Sequence, residues 1–325
     1  HIDKQGQHGK MMLILCGSSV SFMEDEVLSE KSPLFGRRTG QIKLEPFSYL
    51  EAAQFVPAYS AEEKALCYGV TGGIAKYLEL FDDSLSAEEN IVQLFFTKAG
   101  YLFEETSVLL TQEFRNVALY NDIIASISNG ANKPNEIADK VHQDASTVSH
   151  ALASLAATGI VIKQGAITDE GNKKKVQYAL KDGMFRFWYR FVPAALSAIE
   201  LDQGERYFTH VVQPRLSEYM GGVFEDMCRA YTLHAGLSGA LGCFVTAVGR
   251  WWGTNPRTKE QTDIDVVGLD ESAKKAVLGE CKYTAEPADK SVYDALRARN
   301  GLIDARYTTA RYLLFSKAGF SDWYA

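Results

Sequence analysis

Thr262-Asp-Ile-Asp-Val-Val-Gly268 and Leu278-Gly-Glu-Cys-Lys-Tyr283 are the two stretches on which the reading of this chain turns. Both sit in apolar runs that read as β-strands, Asp263–Leu269 and Ala276–Tyr283. Side chains alternate between the faces of a strand, so Glu280 and Lys282 point the same way. If the two strands are neighbours, Asp265 sits beside them on that face. Two carboxylates so placed repel each other unless a cation lies between them. A hard divalent ion with oxygen ligands resolves the conflict, and Mg²⁺ commonly takes one or two carboxylates plus phosphate and water. The pattern therefore predicts Asp265 and Glu280 as metal ligands. Lys282 is then the cation that lowers the pKa of an attacking water or stabilises a pentavalent phosphate. Glu225, on a preceding helix, completes the acidic set. The competing reading is a solvated Glu280–Lys282 pair on an edge strand, with Asp265 an ordinary acid near a turn.

Outward from these strands the pattern predicts a long helix over Tyr207–His234, a strand over Phe244–Trp252, a helix over Asp289–Ala305 and a last strand over Tyr312–Phe315. The order is αβββαβ. With the Asp265, Glu280, Lys282 spacing, it resembles the PD-(D/E)XK nuclease superfamily, and Tyr312-Leu-Leu-Phe-Ser-Lys-Ala-Gly-Phe320 is similar to the strand and turn after the second helix of that core. The resemblance implies Mg²⁺-dependent cleavage of DNA. The alternative is a non-catalytic DNA-binding or regulatory protein that keeps the nuclease fold as a scaffold.

Upstream, residues 115–192 read as a winged helix-turn-helix. Val117–Ser128 is an amphipathic helix stopped by Asn129-Gly130, Pro134 opens a second helix through Val141, and Ala145–Thr158 is a third, closed by Gly159. Val148, Leu152 and Leu155 mark its buried face. Gly159–Ile162 and Val176–Leu180 are two short strands, and Thr168–Lys175 between them is the wing. Such a unit lays its third helix in the major groove of DNA. That assigns DNA contact to Ser146, Thr147, Ser149 and His150, and phosphate contact to Lys173, Lys174 and Lys175 in the wing. None of the helix positions is Arg or Lys, which favours non-specific contact. A protein-interaction module is the alternative. The aromatic run Phe185-Arg-Phe-Trp-Tyr-Arg-Phe191 reads as packing between domains rather than as a base-stacking surface.

The first region, 1–114, predicts a buried strand over Met12–Cys16 ending at Gly17-Ser18-Ser19, a second over Gln41–Leu44, and helices over Tyr49–Phe55, Glu62–Gly69 and Glu88–Phe103. Leu13–Ser19, Ser32–Thr39, Pro46-Phe-Ser48 and Thr71-Gly-Gly-Ile74, together with the aromatic run and the nuclease motifs, make the whole chain resemble an archaeal-type AAA/STAND ATPase of the kind with a nuclease-like C-terminal domain. The resemblance implies a sensor strand whose Ser18 or Ser19 reads the γ-phosphate, with Arg37 and Arg38 facing nucleotide or a neighbouring subunit, and then a helical lid. Ala75 stands where that family usually has proline. A P-loop needs Gly-x4-Gly-Lys-Ser/Thr, but Gly9-Lys10 is followed by Met11 and position 4 is Lys. ATP is therefore expected only where a preceding P-loop region is present, and ATP hydrolysis is not expected of these residues alone.

The fold class that follows is multidomain α/β: a sensor-strand remnant and helical lid (1–114), a winged helix-turn-helix (115–192) and a nuclease-like domain (193–325). A length of 325 residues accommodates this division. The five cysteines, Cys16, Cys67, Cys228, Cys243 and Cys281, show no CxxC pair, which fits reduced thiols in a cytoplasmic protein. The longest apolar run, Met11–Cys16, is far shorter than the roughly 20 residues that span a bilayer, so no membrane partner is expected. A net charge of −7 does not advertise nucleic-acid binding, and a homo-oligomer stays open. The chain opens on His1, as a processed product, a tag remnant or a fragment of something longer would.

Overall fold

The computed structural model describes residues 12–17, 23–37, 39–169 and 176–324. From residue 49 the chain is helical: α1 (Tyr49–Ala52), α2 (Ala61–Thr71), α3 (Ala75–Leu78), α4 (Ala87–Phe95) and α5 (Glu105–Glu113). Helices α2 and α4 each open with a capping box, Ser60 with Glu63 and Ser86 with Glu89, which satisfies amide donors at the exposed first turn. The single helix expected over Glu88–Phe103 divides. Gly100 brings the chain back over the end of α4, where a Cβ would stand 2.4 Å from the Leu94 carbonyl oxygen, and Leu102 N–H donates to that carbonyl at 3.0 Å.

The two strands expected further upstream do not form. Residues 12–17 and 40–47 carry no strand, and Met12, Ile42 and Leu44 are 85%, 86% and 88% exposed. An apolar run becomes a strand only where a neighbour completes its ladder, and no strand among the described residues pairs with these.

Helices α6 (Val117–Ser128), α7 (Pro134–Val141) and α8 (Ala145–Ala157) form a three-helix unit with an antiparallel hairpin, β1 (Val161–Gln164) and β2 (Gln177–Leu180), in register Val161↔Leu180. Its core is Ile123, Ile124 and Ile137 together with Val148, Leu152 and Leu155, the last three being the apolar stripe seen in the sequence. Helix α9 (Gly183–Phe191) then carries the aromatic run into the interior: Phe185, Phe187 and Phe191 are buried. The Phe187 ring lies 4.8 Å from Phe95 and 5.5 Å from Tyr219, so this run packs, as expected, rather than presenting a stacking surface.

After the short helices α10 (Leu196–Glu200) and α11 (Gly204–Tyr207), α12 spans Leu216–Leu237. The continuous helix expected from Tyr207 is interrupted by a π turn over Phe208–Val212 and a 3₁₀ turn over Gln213–Arg215, where Pro214 lacks the amide that a regular helix would use. A four-stranded mixed sheet follows, β3 (Ala247–Thr254), β4 (Gln261–Asp270), β5 (Lys275–Lys282) and β6 (Thr308–Ser316), in that spatial order. The first two pairings are antiparallel and β5–β6 is parallel, the crossover being made through α13 (Lys290–Ala298). This is the expected αβββαβ order. Ala235 of α12 packs with Val245 and Val277 in one core, while Leu296 of α13 packs with Ile264, Val267, Leu269, Ala276 and Leu278 in another. That second core also takes in Ala166 and Ile167 from the β1–β2 connection. All five cysteines are free, and no described helix is long and apolar enough to cross a membrane.

Helices α2, α9 and α12 meet at a glycine contact. A Cβ on Gly183 would stand 2.7 Å from the Gly72 nitrogen and 2.8 Å from the Gly69 carbonyl oxygen, and the Tyr219 hydroxyl donates to that same carbonyl at 2.8 Å. Gly183→Ala is therefore expected to cost about 1–3 kcal/mol, because backbone rather than a movable side chain blocks the methyl. Gly222→Ala, at an exposed position inside α12 with nothing within 4 Å, is expected to add about 0.5–1 kcal/mol. Urea unfolding at an unchanged m-value measures both, and equal effects of the two changes would refute the contact as a constraint.

Candidate active site

Asp265 owes its place to one extra residue in β4. Gly249 of β3 pairs with Val267 and Trp251 pairs with Ile264, so Arg250 alone stands against two residues, Asp265 and Val266. Such a bulge breaks the ladder locally and re-aims a side chain. On its other side the β4–β5 pairing runs only from Asp270↔Lys275 to Val266↔Gly279. Beyond it the Cys281 amide donates to Asp265 Oδ2 at 2.9 Å. The Asp265 carbonyl, freed from the ladder, accepts from Arg229 Nη1 at 2.8 Å. Arg229 belongs to α12 and is tied there to Glu225 at 3.3 Å and Asp226 at 2.7 Å.

Glu280 and Lys282 share a face of β5, as alternation requires, and Lys282 Nζ lies 2.9 Å from Glu280 Oε1. Arg299, just after α13, holds the other oxygen, Oε2, at 2.5 Å. The Glu280 residue is only 7% exposed, so its charge is carried inside the protein by two cations. Asp263 pairs with Arg250 at 2.5 Å. Four carboxylates thus converge, and Asp265 is the one with no ion pair among the described residues. Burial pushes its carboxyl up to about 6, the charges of Glu280, Glu225 and Asp263 add to that, and the Cys281 amide opposes them.

The structure therefore brings Asp265, Glu280, Lys282 and Glu225 to one end of the sheet. It adds Arg299, Arg250, Arg229 and Asp263, which sequence reasoning missed. Asp263 was in plain view two residues before Asp265, and Arg229 follows Glu225 by one helical turn. Nothing in the sequence marks Arg299 or Arg250. Among the described residues no set of three or more His, Cys, Asp or Glu side chains is arranged to hold a metal ion. A site here would rest on Asp265 and Glu280, an all-oxygen pair that suits a hard divalent cation. Glu280 would have to release Lys282 or Arg299 from one oxygen. A cleft of about 440 Å³ lies beyond the end of β5, lined by Glu62, Glu63, Glu88, Gln213, Tyr283 and Lys317 among others, and does not include the acids of the site.

Of the residues expected to touch DNA, those on α8 lie among the described residues. Ser146, Ser149 and His150 are exposed on α8. Thr147 is engaged at the helix cap, where its hydroxyl donates to Asp144 Oδ2 at 2.6 Å. Lys173, Lys174 and Lys175 fall outside the described residues, as do Ser18, Ser19 and Arg38. Arg37 is exposed in a turn, with Nη1 donating to the Pro33 carbonyl at 3.0 Å.

Residues 188–292, from the end of α9 to the start of α13, match a family described as archaeal and bacterial proteins of unknown function, DUF234. An uncharacterized protein of Methanocaldococcus jannaschii is 31% identical over 287 residues. That match covers 87% of this chain and 62% of the relative, so the chain spans less than two thirds of the relative's length. No solved structure matches the chain.

A carboxyl whose folded value lies above its ordinary 3.8 is destabilising once ionised. Stability is then lost as pH rises through the interval between about 4 and about 6, and stays lost above it. In EDTA at pH 7.5, Asp265→Asn is expected to be about 1–2 kcal/mol more stable than the wild type, with the gap closing towards pH 4. The amide keeps an acceptor for Cys281. Urea titrations across that range check it, and a variant less stable at pH 7.5 would contradict the electrostatics described.

Proposed function

We propose that this protein binds DNA through residues 115–192, acting as a winged helix, and cleaves phosphodiester bonds at Asp265, Glu280 and Lys282 in a PD-(D/E)XK-like domain, residues 193–325. Residues 1–114 are read as the sensor strand and helical lid of an AAA/STAND ATPase domain. Ser18, Ser19, Arg37 and Arg38 would then meet nucleotide only together with a P-loop region. The setting proposed is the cytoplasm.

The observation that carries the reading is the convergence at the bulge. A re-aimed aspartate whose carboxylate has no ion pair among the described residues stands at the strand end where Glu280 and Lys282 share a face. Asp265 and Glu280 would hold a Mg²⁺ ion, which supplies Lewis acidity towards a phosphoryl oxygen and an acidified water. The chain's own groups do the rest. Cys281 and Arg229 keep Asp265 aimed through its carboxylate and its carbonyl. Lys282, released from Glu280, would turn its ammonium to the phosphate and the charge that develops there. Arg299 would stay on Glu280 and balance its negative charge. A second reading, a degenerate nuclease fold serving as a scaffold, is favoured by one fact: both oxygens of Glu280 already have cationic partners.

Mn²⁺ titration and plasmid nicking by wild type, Asp265→Asn, Glu280→Gln and Lys282→Ala separate the two. On the proposed reading either carboxylate change weakens metal binding, because a ligand oxygen is lost. Lys282→Ala leaves metal binding intact and lowers nicking by about 100-fold or more. Metal binding without cleavage of DNA or RNA by the wild type would establish the scaffold, and neither binding nor cleavage would remove the site.

For the winged helix, replacing Lys173, Lys174 and Lys175 together by Ala is expected to weaken DNA binding alike across sequences. It should also flatten the salt dependence, since phosphate contacts release counterions. An unchanged affinity and slope would leave a protein-interaction module.

A further inference from the structure

The wing expected to touch DNA spans Thr168–Lys175, and the residues that lead into it from β1 are built into the sheet. Ala166 and Ile167 lie in the core formed by Trp251, Ile264 and Leu296. The Ile167 amide donates to the Arg250 carbonyl at 3.0 Å, and the Thr168 hydroxyl donates to the Ile303 carbonyl at 3.0 Å. Gly249 leaves the room for this: a Cβ there would stand 3.1 Å from Ile167 Cβ. Arg250 is the one residue of β3 that opposes the bulge at Asp265–Val266, and its guanidinium pairs with Asp263. The connection therefore pins the strand edge at the point that sets the bulge.

We propose that Ala166–Thr168 is a positioning element for the acidic site: seated on β3, it holds Arg250 and through it the bulge that aims Asp265, so that cleavage depends on the seat of the helix–hairpin unit. Ile167 and Arg250 are positioning residues, acting through Asp263 and Asp265 rather than on substrate. The inference rests on the phosphodiesterase reading for its activity readout only. A structural readout is independent of it: the Cys281 amide donates to Asp265 itself, so its hydrogen exchange is expected to report the aim of that carboxylate.

Gly249→Val fills the space that Ile167 occupies without touching an acid. The expected result is faster exchange at both Ile167 and Cys281, and a single-turnover cleavage rate lowered about tenfold or more at unchanged DNA affinity, the scale typical of groups that orient ligating residues. Ile167→Ala in the Gly249→Val background makes room again and is expected to restore much of the protection and the rate, which a merely destabilised sheet would not do. Where Gly249→Val fails to fold, Ile167→Pro serves, since it deletes the amide that binds Arg250 while adding no bulk to β3. Exposure of Ile167 with Cys281 still protected and the rate within twofold would overturn the proposal. A wild type that never cleaves would sink the phosphodiesterase reading alone, and the exchange at Cys281 would still decide the coupling.

Discussion

A single surplus residue in β4 constrains more of this molecule than any other feature. A bulge leaves backbone groups outside the ladder, and buried backbone groups must find partners. Here the Asp265 carbonyl finds Arg229 of α12, and the Cys281 amide finds the Asp265 carboxylate. Arg229 in turn is held by Asp226, and Asp226 by Arg186 of α9 at 2.9 Å. Arg186 sits in the helix whose aromatic residues fill the centre of the helical region. The position of the bulge and the position of the helical core are thus joined by one chain of charge-assisted bonds. Breaking one member of such a chain leaves its neighbours unpaired, so the effect exceeds the worth of the bond removed.

The charge distribution follows from the same geometry. Asp263 is matched by Arg250, Glu225 by Arg229, and Glu280 by both Lys282 and Arg299. Among the described residues the Asp265 carboxylate has no ion pair, and it is the carboxyl driven upward by its surroundings. Surplus negative charge is therefore concentrated on the residue that the bulge re-aims. An arrangement meant only for stability would gain from pairing or removing that charge, since desolvating a half-buried carboxylate without an ion pair costs free energy that an apolar side chain in its place would not. That carboxyl, with four cations on the neighbouring acids, is what distinguishes this cluster from a solvated ion pair on an edge strand.

How far the sequence could be read depended on whether the signal was local. Alternation along β5 placed Glu280 and Lys282 on one face, and the spacing of Val148, Leu152 and Leu155 marked the buried stripe of α8. Both readings need only the strand or the helix itself. The bulge was invisible because strict alternation assumes one residue per pleat, and a surplus residue shows only against the partner strand. Arg299 was missed for a related reason: it lies nineteen positions from Glu280, and nothing short of the crossover through α13 brings them together. The apolar run at Met12–Cys16 shows the opposite error. Its composition suits a strand, yet composition supplies no neighbour, and among the described residues the run stays exposed and unpaired.

The same limit explains why the β1–β2 connection looked like a polar tip. Thr168-Asp-Glu-Gly-Asn-Lys-Lys-Lys175 is polar, but Ala166 and Ile167 just before it are apolar, and they complete the core beneath the sheet. Loss of the Ile167 side chain alone would open a cavity there at about 2–5 kcal/mol, a large share of the stability of an ordinary domain. The helix–hairpin unit and the sheet unit are therefore not beads joined by a linker. They share buried atoms, and one cannot swing away without exposing the core of the other. The exposed face of α8 is consequently held at a set orientation to Asp265 by the fold rather than by a flexible tether.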